Sequence, residues 1–362
     1  MINVTKTFLP PFEEYAAQLK RAWDKAWITN NGTLALELEG LLNNYLQTNN
    51  LLYASNGTIV LQIALKALDI TGEVITTPFS YVATTTSILW ENCTPIFVDI
   101  RNDNFCIDEN KIEAAITEKT QAILATHVYG HPCNIDAIEK IAVKHNLKVI
   151  YDAAHAFGTK YKGQSVFNYG DVSTCSFHAT KVFHSGEGGC MVANDPAIAE
   201  RMMMYRQFGH IGDTYYSMGI NAKNSEMHAA MGLCNLKYID EILKSRKESW
   251  LMYADGLRDH GLQLLEIDPD VDYNYAYFPV IFNSEAELLA VVKDLNAQEI
   301  MPRRYFNPAL NTLHYVNYQP CPIAESIASR VLCLPLYHDL EAADIDRIIN
   351  IVLHKNIIEK CA

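Results

Sequence analysis

Between residues 51 and 194, short apolar runs alternate with stretches whose apolar positions recur at helical spacing. Leu51-Leu52-Tyr53-Ala54 reads as a buried strand that stops at Ser55-Asn56-Gly57-Thr58, after which residues 59–68 carry apolar side chains every three or four positions. Residues 73–77 are β-branched and end at Pro78, and Pro95-Ile96-Phe97-Val98-Asp99 is a further strand. Asp108 suits the N-cap of an amphipathic helix through Ile112, Ala115 and Ile116. Residues 122–128, 134–145 and 147–151 repeat the alternation, and two more strands, 172–177 and 190–193, frame a turn. Strands that alternate with helices predict an α/β fold with a mostly parallel sheet covered by helices. Ligands of such sheets sit beyond the carboxyl ends of the strands, so the residues just after each strand are the first candidates for chemistry.

After the helical stretch 225–243 the pattern changes. A proline-containing strand (277–282), a helix (285–295) and a final helix (342–355) predict a smaller α+β region. The expected division is a large domain over residues 1–245 and a small C-terminal domain over residues 246–362, meeting near Ser245.

Composition narrows the setting. With 362 residues, 49% hydrophobic and 20% charged, the chain has the apolar mass for a large core. A formal net charge of −13 argues against a nucleic-acid scaffold, which needs a basic stripe to meet phosphates. An anionic small molecule is still acceptable, because a local cluster of Arg, Lys and backbone N–H groups suffices. Nine scattered cysteines with no CxxC pair make a poor disulfide framework, and no metal site is expected. The N-terminus lacks a basic stretch followed by an apolar one, and no run approaches the roughly 20 apolar residues of a membrane span. A reducing cytoplasm, away from membranes, is the expected location.

The turn between strands 172–177 and 190–193 holds Lys181, in Ser176-Phe177-His178-Ala179-Thr180-Lys181, followed by Ser185-Gly186-Glu187-Gly188-Gly189. An isolated lysine is usually a solvated surface group. Here the tight turn, the glycines and the strand-end position point to a lysine that carries pyridoxal 5′-phosphate (PLP), as a Schiff base and then as a general base. Burial would lower its pKa, as that role requires. Asp152 ends the apolar strand Val149-Ile150-Tyr151 and precedes Ala153-Ala154-His155-Ala156-Phe157-Gly158. It is either a helix cap or the carboxylate that keeps the PLP ring nitrogen protonated, which the cofactor needs to act as an electron sink. Ser55-Asn56-Gly57-Thr58 opens a helix after a strand, a suitable phosphate cradle. Ser176 is a second phosphate candidate, and Tyr81 is either a core aromatic or a ring that stacks on the cofactor.

Five segments occur in a fixed order: Ser-Asn-Gly-Thr (55–58), Thr-Pro-Phe-Ser-Tyr-Val-Ala-Thr (77–84), Asp-Ala-Ala-His-Ala-Phe-Gly (152–158), Ser-Phe-His-Ala-Thr-Lys (176–181) and Gly-Glu-Gly-Gly (186–189). With them the chain resembles the sugar-nucleotide aminotransferases of the DegT/DnrJ/EryC1/StrS group. The likeness continues through Gly219-Ile220-Asn221-Ala222-Lys223, Arg303-Arg304-Tyr305-Phe306-Asn307-Pro308 and Arg330-Val331-Leu332-Cys333-Leu334-Pro335-Leu336.

The resemblance implies the aspartate-aminotransferase type of PLP fold (fold type I) and a homodimer with active sites at the interface. It implies that Lys181 bears the cofactor, Asp152 pairs with the pyridine nitrogen and Tyr81 stacks on the ring. Gly57, Thr58 and Ser176 would hold the phosphate, with Asn221 reaching the phosphate of the neighbouring subunit. His155 replaces the glutamine of many relatives near the ring oxygen, and Lys223 replaces an arginine. His178, Lys223, Arg303, Arg304 and Tyr305 are the candidates for the substrate side.

Within the family the likeness is to enzymes that move the amino group of glutamate to C4 of a dTDP-4-keto-6-deoxyhexose. These make a dTDP-4-amino-4,6-dideoxy sugar for surface polysaccharides such as the O-antigen of lipopolysaccharide. Amination at C3, or of a UDP- or GDP-linked 4-keto sugar, is the alternative, and so is an amino-acid aminotransferase. Relatives that remove a sugar hydroxyl carry His in place of the lysine, so Lys181 separates this chain from them. A PLP-binding regulator without catalysis is a further alternative, opposed by intact Lys181 and Asp152 and by the lack of a basic helix-turn-helix.

Overall fold

The computed structural model describes residues 1–360, with side chains through residue 353. Its centre is a seven-stranded sheet made of β1 (Leu51–Ala54), β2 (Glu73–Thr76), β3 (Thr94–Phe97), β4 (Thr120–Thr126), β5 (Lys148–Asp152), β6 (Val172–Ser176) and β7 (Gly189–Ala193). The spatial order is β1-β7-β6-β5-β4-β2-β3. β2 to β6 pair in parallel, whereas β7 runs antiparallel to both β6 and β1. The sheet is therefore mixed but mostly parallel, as the alternating pattern predicts.

Successive strand residues point to opposite faces, and the core divides accordingly. Val149 and Tyr151 of β5 join one apolar cluster while Ile150 joins another. In β7, Cys190 and Val192 face a cluster with Leu34, Leu38 and Phe177, whereas Met191 and Ala193 face Val60, Leu61 and Leu124. Burial on both faces explains why these strands read as unbroken apolar runs.

Local details refine the expected elements. The first helix after β1 spans Gly57–Ala67 and begins two positions early, because the Asn56 side chain accepts from the Thr58 and Ile59 N–H groups and closes the first turn. Asp108 does cap a helix, yet it ends at Ile112 and tightens into a 3₁₀ turn, Glu113–Ala115. The stretch 225–243 is two helices, Glu226–Leu236 and Ile239–Leu257. Residues 1–50, to which the pattern assigns nothing, form helices Phe12–Asp24 and Thr33–Leu46. The second buries Leu34, Leu38 and Leu42, spaced four apart, in the cluster that also holds Ala229, Ala230 and Leu233.

The C-terminal region has an antiparallel sheet of Gln263–Leu264, Phe278–Ile281 and Val331–Leu334, with helices Glu285–Ala297 and Ala342–Lys360. Ser245 lies inside the helix Ile239–Leu257, whose buried face continues through Arg246, Trp250, Tyr253 and Leu257. One hydrophobic cluster joins Ile75, Phe79 and Tyr129 of the large sheet region to Phe278, Phe306 and Leu332. The change of pattern near Ser245 thus marks a change of packing partners, with no linker. Among the described residues no helix is long and apolar enough to cross a membrane.

Candidate active site

The carboxyl ends of β1, β2, β5 and β6 converge on a cavity of about 300 Å³. Its floor and walls come from the helix start at Asn56-Gly57-Thr58, the loop after β2 with Ser80 and Tyr81, the turn after β5, the lysine turn after β6, and Arg303, Tyr305 and Phe306.

The helix start and β6 meet closely. A Cβ built on Gly57 would lie 2.7 Å from the Ser176 Cβ, so only glycine lets the first turn approach the end of β6. The helix N-terminus there, with the Gly57 N–H not engaged by the Asn56 side chain, suits an anion. Gly57→Ala is expected to cost about 1–3 kcal/mol of stability through overpacking and to weaken phosphate-ester binding. Thermal unfolding with and without added PLP reads both effects.

Asp152 is the last residue of β5 and is 5% exposed. Its Oδ2 accepts from Thr84 Oγ1 at 2.7 Å and its Oδ1 from the Ala154 N–H at 3.1 Å. Burial pushes its carboxyl above the usual range, opposed by these two hydrogen bonds and by the Lys181 ammonium. Lys181 itself keeps some surface open to the cavity. Its ammonium is nonetheless desolvated, which lowers its pKa, and the Asp152 carboxylate works in the other direction. A lysine held below its ordinary value and a carboxylate that feels it are the pair a proton-moving site requires.

His155 is buried between Phe306, stacked at 5.4 Å, and Tyr277, edge-on at 5.1 Å. Burial, and then Lys181, push its pKa well below the imidazole range, so the ring is neutral. Its Nδ1 is buried without a hydrogen-bond partner. The turn carrying it is fixed from the C-terminal region, because Asn274 Nδ2 donates to the His155 and Phe157 carbonyls at 2.8 and 2.9 Å. Gly130 makes room for Asn274: a Cβ there would sit 2.4 Å from Asn274 Oδ1.

The other sequence candidates divide. Thr58, Tyr81, Ser176, His178, Arg303 and Tyr305 line the same cavity as Lys181 and Asp152. His178 is exposed, its Nδ1 2.8 Å from Thr180 Oγ1 and its Nε2 3.8 Å from Glu187. Arg303 stands over the Tyr305 ring at 5.7 Å. Arg304 turns away and is engaged by Glu285 at 2.6 Å and the Ser329 carbonyl at 2.9 Å. Exposed Asn221 and half-buried Lys223 lie outside the cavity, where Lys223 Nζ donates to Asn221 Oδ1 at 3.0 Å and sits 4.7 Å over Phe208.

Several residues of the site have no sequence signal of their own. Thr84 closes the 77–84 segment, but nothing in its spacing marks it as the donor to Asp152. Phe306 and Tyr277 come from loop and strand-end positions where apolar periodicity says nothing. Glu187 and Thr180 flank Lys181 in sequence and could have been proposed from proximity alone.

These groups fit PLP: a glycine-opened helix start for a phosphate, a buried carboxylate for a ring nitrogen, a desolvated lysine, aromatic rings, and an unpartnered buried imidazole nitrogen. Comparison with known proteins agrees. The DegT/DnrJ/EryC1/StrS aminotransferase family model matches residues 12–353. A dTDP-4-amino-4,6-dideoxy-D-glucose transaminase of Shigella dysenteriae is 40% identical over 97% of this chain and 98% of that protein. A GDP-perosamine synthase of Escherichia coli O157:H7 is 34% identical over 88% of each. The solved structure of DesI in the presence of its TDP-sugar product superposes with a TM-score of 0.93 at 31% identity, covering 98% of this chain and 93% of that one. The chain belongs to the DegT/DnrJ/EryC1/StrS aminotransferase family.

Proposed function

We propose that this aminotransferase uses PLP to move the amino group of glutamate to C4 of a dTDP-linked 4-keto-6-deoxyhexose, giving a dTDP-4-amino-4,6-dideoxy sugar in the cytoplasm. The observation that carries the reading is the near full-length likeness to a dTDP-4-amino-4,6-dideoxy-D-glucose transaminase, joined to a cavity holding Lys181 and Asp152. When bound, PLP supplies the electron sink for the carbanion beside the amine.

The chain's own groups do the rest. The Gly57 N–H and the Thr58 and Ser176 side chains hold the phosphate. Asp152 would keep a proton on the ring nitrogen, and Tyr81 and neutral His155 would hold the ring. Lys181 attaches the cofactor and is the base that takes the proton from the donor's Cα. It later returns a proton to C4 of the sugar, so one desolvated amine serves both halves of the reaction. His178, Tyr305 and Arg303 face the substrate. Arg304 is committed to Glu285 and holds the segment in place. Two copies form a homodimer in which Asn221, with Lys223 beside it, reaches the partner's phosphate. The position of both residues, Asn221 exposed and Lys223 half-buried, away from their own chain's cavity, supports this.

A second reading, a GDP-linked 4-keto sugar as acceptor, is favoured by the GDP-perosamine synthase likeness. Incubation with glutamate and dTDP-, UDP- or GDP-4-keto-6-deoxy sugars separates the two. The expected result is turnover with the dTDP sugar and an amine at C4, assigned by mass and proton coupling. Product with only the UDP or GDP sugar, or an amine at C3, overturns the substrate reading and leaves the aminotransferase in place.

A further inference from the structure

The donors to Asp152 do not end with Thr84. Thr84 Oγ1 donates to Asp152 Oδ2 at 2.7 Å, Ser80 Oγ lies 2.7 Å from Thr84 Oγ1, and Thr126 Oγ1 donates to Ser80 Oγ at 3.2 Å. The three hydroxyls come from three elements: the end of β4, the loop after β2, and the helix Val82–Trp90. Ser80 is 2% exposed, and Thr84 and Thr126 are fully buried.

A hydroxyl has one proton, and an ionised carboxylate only accepts. The Thr84 proton is committed to Asp152, so Ser80 donates to Thr84 and Thr126 donates to Ser80. The reverse order would leave the Thr126 proton with no acceptor among the described residues. All three O–H dipoles therefore point their positive ends toward Asp152 Oδ2, and in a low-dielectric interior each bond polarises the next.

We propose that Thr84, Ser80 and Thr126 are positioning residues, a one-way line of hydroxyl donors that stabilises negative charge on the Asp152 carboxylate. Their part in catalysis rests on the reading of Asp152 as the partner of the cofactor ring nitrogen, while the line itself belongs to the protein alone. Other groups facing Asp152 do less. Burial is the largest influence and disfavours the carboxylate. Against it the Thr84 hydrogen bond ranks first, ahead of the Ala154 N–H and the Lys181 ammonium. His155, three residues on, is neutral. His127, just past the end of β4, donates its backbone N–H to the Asp152 carbonyl, and burial holds its ring neutral with a pKa of about 3.

Infrared titration of the full chain without added cofactor reads the proposal directly, with the Asp152 carboxyl band identified by its absence in Asp152→Asn. Thr84→Val keeps the shape and removes the hydroxyl. It is expected to raise the Asp152 midpoint by about one pH unit or more, and Thr84→Ser is expected to restore it. Ser80→Ala and Thr126→Val are expected to shift it the same way, less with each step from Asp152, and they decide the matter if Thr84→Val does not fold. An unchanged midpoint in Thr84→Val, or in both of the others where that variant cannot be purified, overturns the line. A raised midpoint with unchanged turnover in the loaded enzyme supports the line and counts against the cofactor reading of Asp152, so the two fail separately.

Discussion

Lys181→Ala is expected to lower transamination to below about one-thousandth of the wild-type rate, since a residue serving as both covalent anchor and proton carrier is removed. The fold should survive. At neutral pH the desolvated ammonium is a cost to the native state, relieved only as pH rises toward the ordinary lysine value, because its folded pKa is the lower one. Loss of its attraction to Asp152 acts against that gain, so the melting temperature of the cofactor-free variant is expected to stay within a few degrees of wild type. Borohydride treatment of the PLP-loaded wild type should leave the cofactor covalently on the peptide containing Lys181. Label on a different lysine, or near-normal turnover in Lys181→Ala, would falsify the assignment.

Asp152→Asn is expected to slow turnover by about 100-fold or more, a loss of roughly 3 kcal/mol of transition-state stabilisation. An amide cannot hold a proton on a ring nitrogen as a carboxylate does. Its NH₂ group must also face either the Thr84 hydroxyl or the Ala154 N–H, both donors in the wild type. The pH dependence has a definite sign. Because burial raises the folded pKa of Asp152, the group favours the fold while protonated, and that contribution is lost as pH rises from the ordinary aspartate value through the raised one. Asp152→Asn should therefore flatten the melting temperature against pH in this acidic window. A wild-type rate would return Asp152 to the status of a turn cap.

The parallel strands and the strand-end sites were legible because their physics is local. Each strand is a short apolar run, and the cavity residues of β1, β5 and β6 lie at its carboxyl end or within a few residues of it. Asp152, Lys181 and the Gly57 turn could be placed on one edge of the sheet from that rule alone. The direction of β7 could not, since an antiparallel strand buried on both faces has the same composition as a parallel one. Nor could the separation of Arg303 from Arg304, which depends on Glu285 lying across from the second of two adjacent cations. The hydroxyls behind Asp152 were illegible for a similar reason. Ser80, Thr84 and Thr126 are ordinary small polar residues until the fold brings a loop, a helix and a strand end together. The helices before residue 50 went unread although Leu34, Leu38 and Leu42 carry a helical stripe.

The cavity walls are also ordered in time. A chain leaves the ribosome from its N-terminus, so everything on the sheet side, through Lys181, is synthesised before the wall at Arg303-Tyr305-Phe306. Until that wall arrives, Phe79 and Tyr129 lack the ring of Phe306, which meets them at 5.7 and 5.8 Å in the finished protein. The Tyr129 hydroxyl likewise waits for the Tyr305 carbonyl, and the Pro78 carbonyl for the Leu310 N–H. A nascent or truncated chain stopping short of residue 303 thus presents an uncovered aromatic surface beside an otherwise complete anion cradle, the kind of surface that chaperones engage and that aggregates when they do not.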